Sequence, residues 1–169
     1  MNVHFMSNRL DWGTPNEIFE PLDKEFGFTL DPCATPENAK CEKFYTPDDD
    51  GLSRSWADEV VFMNPPYGRE IGKWIKKAYE ESCQSVVVCL IPSRTDTAWW
   101  HDYCMKADEI RFLRGRVRFV GGSSSAPFPS AIVVFRPSRF RLTPLQADAA
   151  GSAQAEQLEL PAVPLNPVS

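Results

Sequence analysis

Apolar positions along the chain follow two periods. Ile18, Phe19, Leu22 and Phe26 recur at a spacing near 3.6 and predict a helix with one buried face. Thr14-Pro15 supplies its start signal, with Thr14 as N-cap, Pro15 at the first helical position and Glu17 completing a capping box; Gly27 ends it. Ile71, Trp74, Ile75 and Ala78 predict a second helix over residues 70–82, and a third is expected over roughly 96–106 around Trp99 and Trp100. Adjacent positions on a helix point in different directions, so at least one of these two tryptophans is expected in the core, as is Trp74. Short β-prone runs lie at Phe28-Thr29-Leu30, Val60-Val61-Phe62-Met63 and residues 85–91 (SVVVCLI), followed by 110–113, 116–120 and 130–135. Alternating strand and helix followed by a strand-rich end predicts an α/β fold, its sheet mostly parallel with an antiparallel edge hairpin.

The first three predicted strands end alike, at Asp31-Pro32, Asn64-Pro65 and Pro92-Ser93. Proline cannot continue a sheet ladder, so each pair marks a strand's carboxyl end. In open α/β sheets that end carries the ligands, and the three motifs are expected to converge on one cleft. Residues 35–55 (TPENAK, then TPDDDG) are polar and turn-rich without a period, and read as a functional loop between two strands of one core. Residues 1–11 read as a flexible lead-in, residues 12–141 as one domain, and residues 142–169, rich in Ala, Gln, Pro and Ser, as a disordered tail.

At 169 residues, 43% hydrophobic, the chain suits a single core. It has no apolar run near the ~20 residues of a membrane span and no leader-like apolar core at its start, so no membrane partner and a cytoplasmic location are expected. Five cysteines form an odd set without a C-x-x-C pair, and neither His4 nor His101 has a partner at ligand spacing, so reduced thiols and no metal site are expected. The net charge of −5 conceals an asymmetry: residues 111–141 hold seven arginines and none of the 23 acids. Such a basic patch fits nucleic acid; the plain alternative is the solvated face of a β-hairpin.

Asn64-Pro65-Pro66-Tyr67 has a chance frequency of roughly one in a thousand for such a chain. An amino group on an unsaturated ring is a poor nucleophile because its lone pair is delocalised. The Asn64 side-chain oxygen and the Pro65 carbonyl can accept its N–H groups and stabilise charge developing on nitrogen during in-line methyl transfer. The two prolines fix these oxygens and remove competing donors. Tyr67 offers a flat face for a planar substrate.

Trp12-x-Thr14-Pro15, Leu30-Asp31-Pro32-Cys33-Ala34, Asp50-Gly51-Leu52 with Trp56, Asn64-Pro65-Pro66-Tyr67-Gly68 and Pro92-Ser93-Arg94-Thr95-Asp96-Thr97-x-Trp99-Trp100 together resemble the phage-type DNA N6-adenine methyltransferase (Dam) family over about residues 9–137. The resemblance implies a reduced Rossmann-like class I methyltransferase sheet using S-adenosyl-L-methionine. It implies Asn64, Pro65, Pro66 and Tyr67 as the catalytic and base-binding set. Trp12, Thr14, Pro15, Asp31, Pro32, Cys33, Ala34, Asp50 and Asn64 are implied at the cofactor, with Thr14-Pro15 at its methionine carboxylate, where a helix N-terminus suits an anion. Asp49 rivals Asp50 for the adenosine contact. The glycines usual after Asp-Pro-Cys are replaced here by Ala34 and Thr35. Some 30 residues separate the first motif from Asn64, so the sheet is expected to lack its cofactor-side outer strands, with the 35–55 loop covering the adenosine.

The expected partner is double-stranded DNA, from which the target adenine must be extruded to reach Asn64 and Tyr67. Arg94, Arg114, Arg116 and Arg118 are the expected DNA contacts, with residues 121–125 as a mobile loop around the extruded nucleotide. A short or relaxed recognition sequence follows from the lack of a separate recognition domain. No obligate protein partner is evident, and protection from restriction or regulation are both open as biological roles. Competing acceptors are cytosine N4, RNA and a protein glutamine amide, and a catalytically inactive nucleic-acid-binding module is the reading from another class.

Overall fold

A computed structural model describes residues 13–122 and 124–137. Trp12, His4, Arg139, Arg141 and the expected tail from residue 142 lie outside the described residues. The elements are α1 (Asn16–Phe26), β1 (Leu30–Asp31), β2 (Lys43–Phe44), β3 (Val60–Met63), α2 (Ile71–Glu81), β4 (Val86–Pro92), α3 (Ala98–Asp102), a 3-10 turn (Cys104–Lys106), β5 (Glu109–Phe112) and β6 (Ser130–Phe135). They form a mixed α/β protein with one six-stranded sheet in the order β2-β1-β3-β4-β6-β5. β2, β1, β3 and β4 run parallel, while β6 is antiparallel to both β4 and β5.

The sheet is covered on both faces, which explains the unbroken apolar run of β4. Val87, Cys89 and Ile91 face Trp74 and Ile75 of α2 and Trp100 of α3; Val88 and Leu90 face Leu22 of α1 together with Phe62, Ile132 and Val134. Trp74 and Trp100 are therefore core residues as expected, and Trp99 is half-buried. A bidentate pair from Arg111 to Glu25 (2.7 and 2.6 Å) braces α1 to β5. This brace is partly exposed, so it contributes under about 1 kcal/mol. Burial of an apolar side chain such as Leu22 contributes roughly 1.5–3 kcal/mol, so the apolar face docks α1 and the brace orients it.

Several elements differ from the sequence expectation. Pro15, not Thr14, is the residue before α1; its ψ of 146° is extended, and no side chain caps the helix. The capping box with Glu17 does not form, because the Thr14 hydroxyl is engaged elsewhere. β1 starts at Leu30 rather than Phe28 and includes Asp31. The 35–55 loop contains one regular piece, the two-residue β2, so the cofactor-side outer strands are reduced to this stub. The third helix breaks at Tyr103 into α3 and the 3-10 turn. Residues 116–120 alternate as a strand would, with Val117 and Phe119 buried and Arg116, Arg118 and Val120 exposed. They run outside the sheet, however, and among the described residues pair through one bridge, Gly13 to Val120.

The strand order reverses between β1 and β3: the chain steps outward from β1 to β2, then returns to build β3 and β4 on the other side. Polar motifs at the carboxyl ends of β1, β3 and β4 thus share one rim of the sheet. The 46–56 segment is clamped to this rim. Trp56 is fully buried and donates its Nε1–H to the Gly51 carbonyl at 2.9 Å. Gly51 lies so close to Pro32 that a Cβ would sit 2.0 Å from the Pro32 carbonyl oxygen. Gly51→Ala is accordingly expected to cost about 3 kcal/mol or more by overpacking, read as a lower midpoint of urea denaturation.

Candidate active site

Asn64 follows the last residue of β3 and is held at two points among the described residues. Its backbone N–H donates to the Cys33 sulfur, and its side-chain Nδ2 donates to the Thr14 hydroxyl at 3.1 Å. Three segments far apart in sequence meet there. With the amide's nitrogen end on Thr14, its acceptor atom Oδ1 is at the opposite end of the amide. Pro65 is buried and Pro66 half-buried, and neither carries an N–H; Gly68 donates back to the Pro66 carbonyl at 3.0 Å, closing the turn.

Asp31 is a buried carboxylate, 5% exposed. Burial raises its pKa to about 6, partly opposed by the Lys40 and Cys33 backbone N–H groups that donate to its two oxygens at 3.2 and 3.4 Å. The Asp31–Ala34 segment is fixed from the side as well: Tyr45 N–H donates to the Asp31 carbonyl at 2.9 Å, and Ala34 N–H to the Tyr45 carbonyl at 3.0 Å. Burial pushes the Cys33 thiol well up, so it stays protonated, and all five cysteines are free thiols.

The two candidate loop acids behave differently. Asp49 accepts the Thr46 N–H (2.9 Å) and hydroxyl (2.7 Å), bonds that hold its carboxyl below the usual range. It is a turn-forming residue. Asp50 is exposed, with a left-handed φ of 51°, and its carboxylate makes no hydrogen bond among the described residues.

Tyr67 is half-buried, and its hydroxyl donates to the Leu90 carbonyl at 3.0 Å, fixing the ring between the carboxyl ends of β3 and β4. Phe119 and Phe128 meet it edge-on, with centroids at 5.8 and 5.5 Å. Sequence reasoning missed these two phenylalanines. The alternation of Val117 and Phe119 with Arg116 and Arg118 was the available signal for Phe119; Phe128, in a turn-rich stretch, had none.

The arginine block divides. Arg111 pairs with Glu25 and Glu109, and Arg136 with Glu109 at 3.0 Å, so these two belong to the brace of α1 against β5 and β6. Arg114, Arg116 and Arg118 are exposed. Arg118 donates to the Ser125 hydroxyl at 3.3 Å, beside a recess of about 460 Å³ that Gly122, Ser124 and Ser125 also line. Arg94 is exposed on the rim just beyond β4. Pro15 lies between Thr14 and the first residue of α1. His101, exposed on α3, meets the Thr95 carbonyl at 2.8 Å and stands apart from this constellation.

An α/β sheet whose strand-order reversal carries a buried Asp on one strand and Asn-Pro-Pro-Tyr on the next defines a ligand-binding class of site. The family model for DNA N-6-adenine-methyltransferase (Dam) matches residues 4–145, and the chain belongs to this family. It is 31% identical over 131 residues to the DNA N-6-adenine-methyltransferase of Escherichia phage T1, covering 67% of this chain and 55% of that relative. A second relative, the DNA N-6-adenine-methyltransferase of Haemophilus phage HP1, is 26% identical over 135 residues, covering 75% of this chain and 78% of its own. The chain thus spans little more than half the length of the T1 protein.

Asp31 also gives the fold a pH signature. Its folded pKa of about 6 lies above the unfolded value, so the neutral acid is the form the fold favours. Its contribution to stability is fully present below about pH 4 and is lost as pH rises through about 6. Thermal melts between these limits are expected to show a declining component in the wild type that Asp31→Asn lacks.

Proposed function

We propose that this chain transfers the methyl group of S-adenosylmethionine to N6 of adenine in double-stranded DNA, on a reduced Rossmann-like class I methyltransferase sheet. The observation that carries this reading is the meeting of Thr14, Cys33 and Asn64 across the β1/β3 reversal, which joins the Asp-Pro-Cys and Asn-Pro-Pro-Tyr motifs in one site. The activity for which the two phage relatives are named supports the substrate.

The residues fit the cofactor's chemistry. Asp31 at the end of β1 and Asp50 within the clamped loop are carboxylates suited to a cationic amino acid end and a ribose diol, and Pro32, Cys33 and Ala34 follow Asp31 as small, largely apolar residues. Pro15 and the start of α1 complete the methionine end. Asp50 is preferred to Asp49 for the adenosine because Asp49 already closes the Thr46 turn. When bound, S-adenosylmethionine supplies an electrophilic methyl on a sulfonium.

The chain's own residues activate the acceptor. Asn64 Oδ1 and the Pro65 carbonyl accept the two N–H bonds of the exocyclic amine and stabilise the positive charge that grows on nitrogen. Because both prolines lack an N–H, no donor competes at that point. Tyr67, pinned through its hydroxyl, holds the extruded base by its ring, with Phe119 and Phe128 fixing the ring in turn. The phenol is a neutral donor, since burial pushes its pKa well up. Arg94, Arg114, Arg116 and Arg118 hold the DNA backbone.

Duplex DNA incubated with methyl-labelled S-adenosylmethionine is expected to yield labelled N6-methyladenine, with Asn64→Ala reducing the rate about 100-fold or more. Label in N4-methylcytosine would overturn the assigned base; no label would overturn the reaction. In salt titrations of DNA binding, Arg116→Ala and Arg118→Ala are each expected to flatten the slope by about 1, whereas Arg111→Ala leaves it unchanged.

A further inference from the structure

Thr14 stands one residue outside the helix-cap position, which Pro15 occupies, and no side chain caps α1. It is 3% exposed, and its hydroxyl accepts the Asn64 Nδ2–H at 3.1 Å, across 50 residues of sequence. We infer that Thr14 is a positioning residue that holds the Asn64 amide with Oδ1 turned to the acceptor amine. This rests on the methyl-transfer reading above.

A hydroxyl can serve either end of an amide, so the pair by itself fixes the plane of the Asn64 group. The acceptor amine decides which end goes where. Its lone pair is delocalised into the ring and it brings only donors, so it takes Oδ1 and leaves Nδ2 to Thr14. Without Thr14 the amide loses the contact that fixes its plane, so Oδ1 is aimed less well as charge develops, a loss that falls on the transition state.

Thr14 is itself held from the arginine side. Gly13 donates to the Val120 carbonyl at 3.2 Å and accepts the Val120 N–H at 2.8 Å. Val120 follows Phe119, which lies against Tyr67, and is two residues from Arg118. The segment proposed to grip DNA thus ends in the strap that seats Thr14, so the base-holding ring and the amide take their positions from one piece of backbone.

The test is single-turnover methyl transfer, with cofactor affinity measured separately by calorimetry. Thr14→Val, nearly isosteric, is expected to slow transfer about tenfold or more at saturating cofactor. Thr14→Ser restores the hydroxyl and is expected to restore the rate. Cofactor affinity should stay within about twofold of wild type in both variants. In an Asn64→Ala background, Thr14→Val should add no further loss, because the two act as one unit. Weakened cofactor binding with an unchanged transfer rate would overturn the inference and make Thr14 a direct cofactor contact. A Ser variant as slow as Val would overturn it too, since the methyl group rather than the hydroxyl would then matter. An activity-free readout is the Asn64 side-chain NH2 resonance pair in the full chain: a large shift in Thr14→Val supports the pairing, and an unchanged pair sinks it. A wild type that transfers no methyl would defeat the reaction proposed above while leaving this resonance test standing.

Discussion

The site depends on two contacts that Asn64 makes among the described residues, its backbone N–H with the Cys33 sulfur and its side-chain nitrogen with Thr14. Either bond alone would leave a rotation available. Together they lock a residue at the end of a four-residue strand to β1 on one side and to the start of α1 on the other. Asp31, buried and held by two backbone N–H groups, steadies the β1 side of the same contact. The proline pair can then add rigidity without contributing a hydrogen bond, because direction has already been set from both sides.

Around this centre the chain economises on sheet. β1 and β2 have two residues each, too few to shape a binding wall by strand pairing alone. Close packing takes over: the buried Trp56 indole pulls the Gly51 carbonyl inward, and the Gly51 backbone rests on Pro32. A loop with no period in its sequence thereby becomes a fixed surface. Its stability rests on one large aromatic and one absent side chain, and Asp50 is held at a left-handed φ beside them.

The long apolar runs were legible from sequence. β3, β4 and β6 fall where residues 60–63, 85–91 and 130–135 predict them, because burial on both faces requires uninterrupted apolar side chains. What remained hidden were the partnerships across distance. Thr14-Pro15 has the letters of a helix cap, but Asn64, 50 residues on, takes the hydroxyl instead. Residues 116–120 have the alternation of a strand, but alternation reports only that one face is buried, not that a neighbour pairs with the other edge. Seven arginines look uniform until Glu25 and Glu109 pair with two of them. Local pattern carries burial; it carries no information about which remote carboxylate or amide will arrive.

The brace formed by those two arginines has a bearing on self-association. Among the described residues β5 pairs with β6 alone, leaving one flank of Glu109-Ile110-Arg111-Phe112 as an open sheet edge. Open edges invite strand addition by another copy. Here two of the four residues are charged, and both are tied back to α1 or β6 through Glu25 and Arg136. A second chain adding at this edge would have to accommodate anchored charges, so the contacts that orient α1 also disfavour strand addition there.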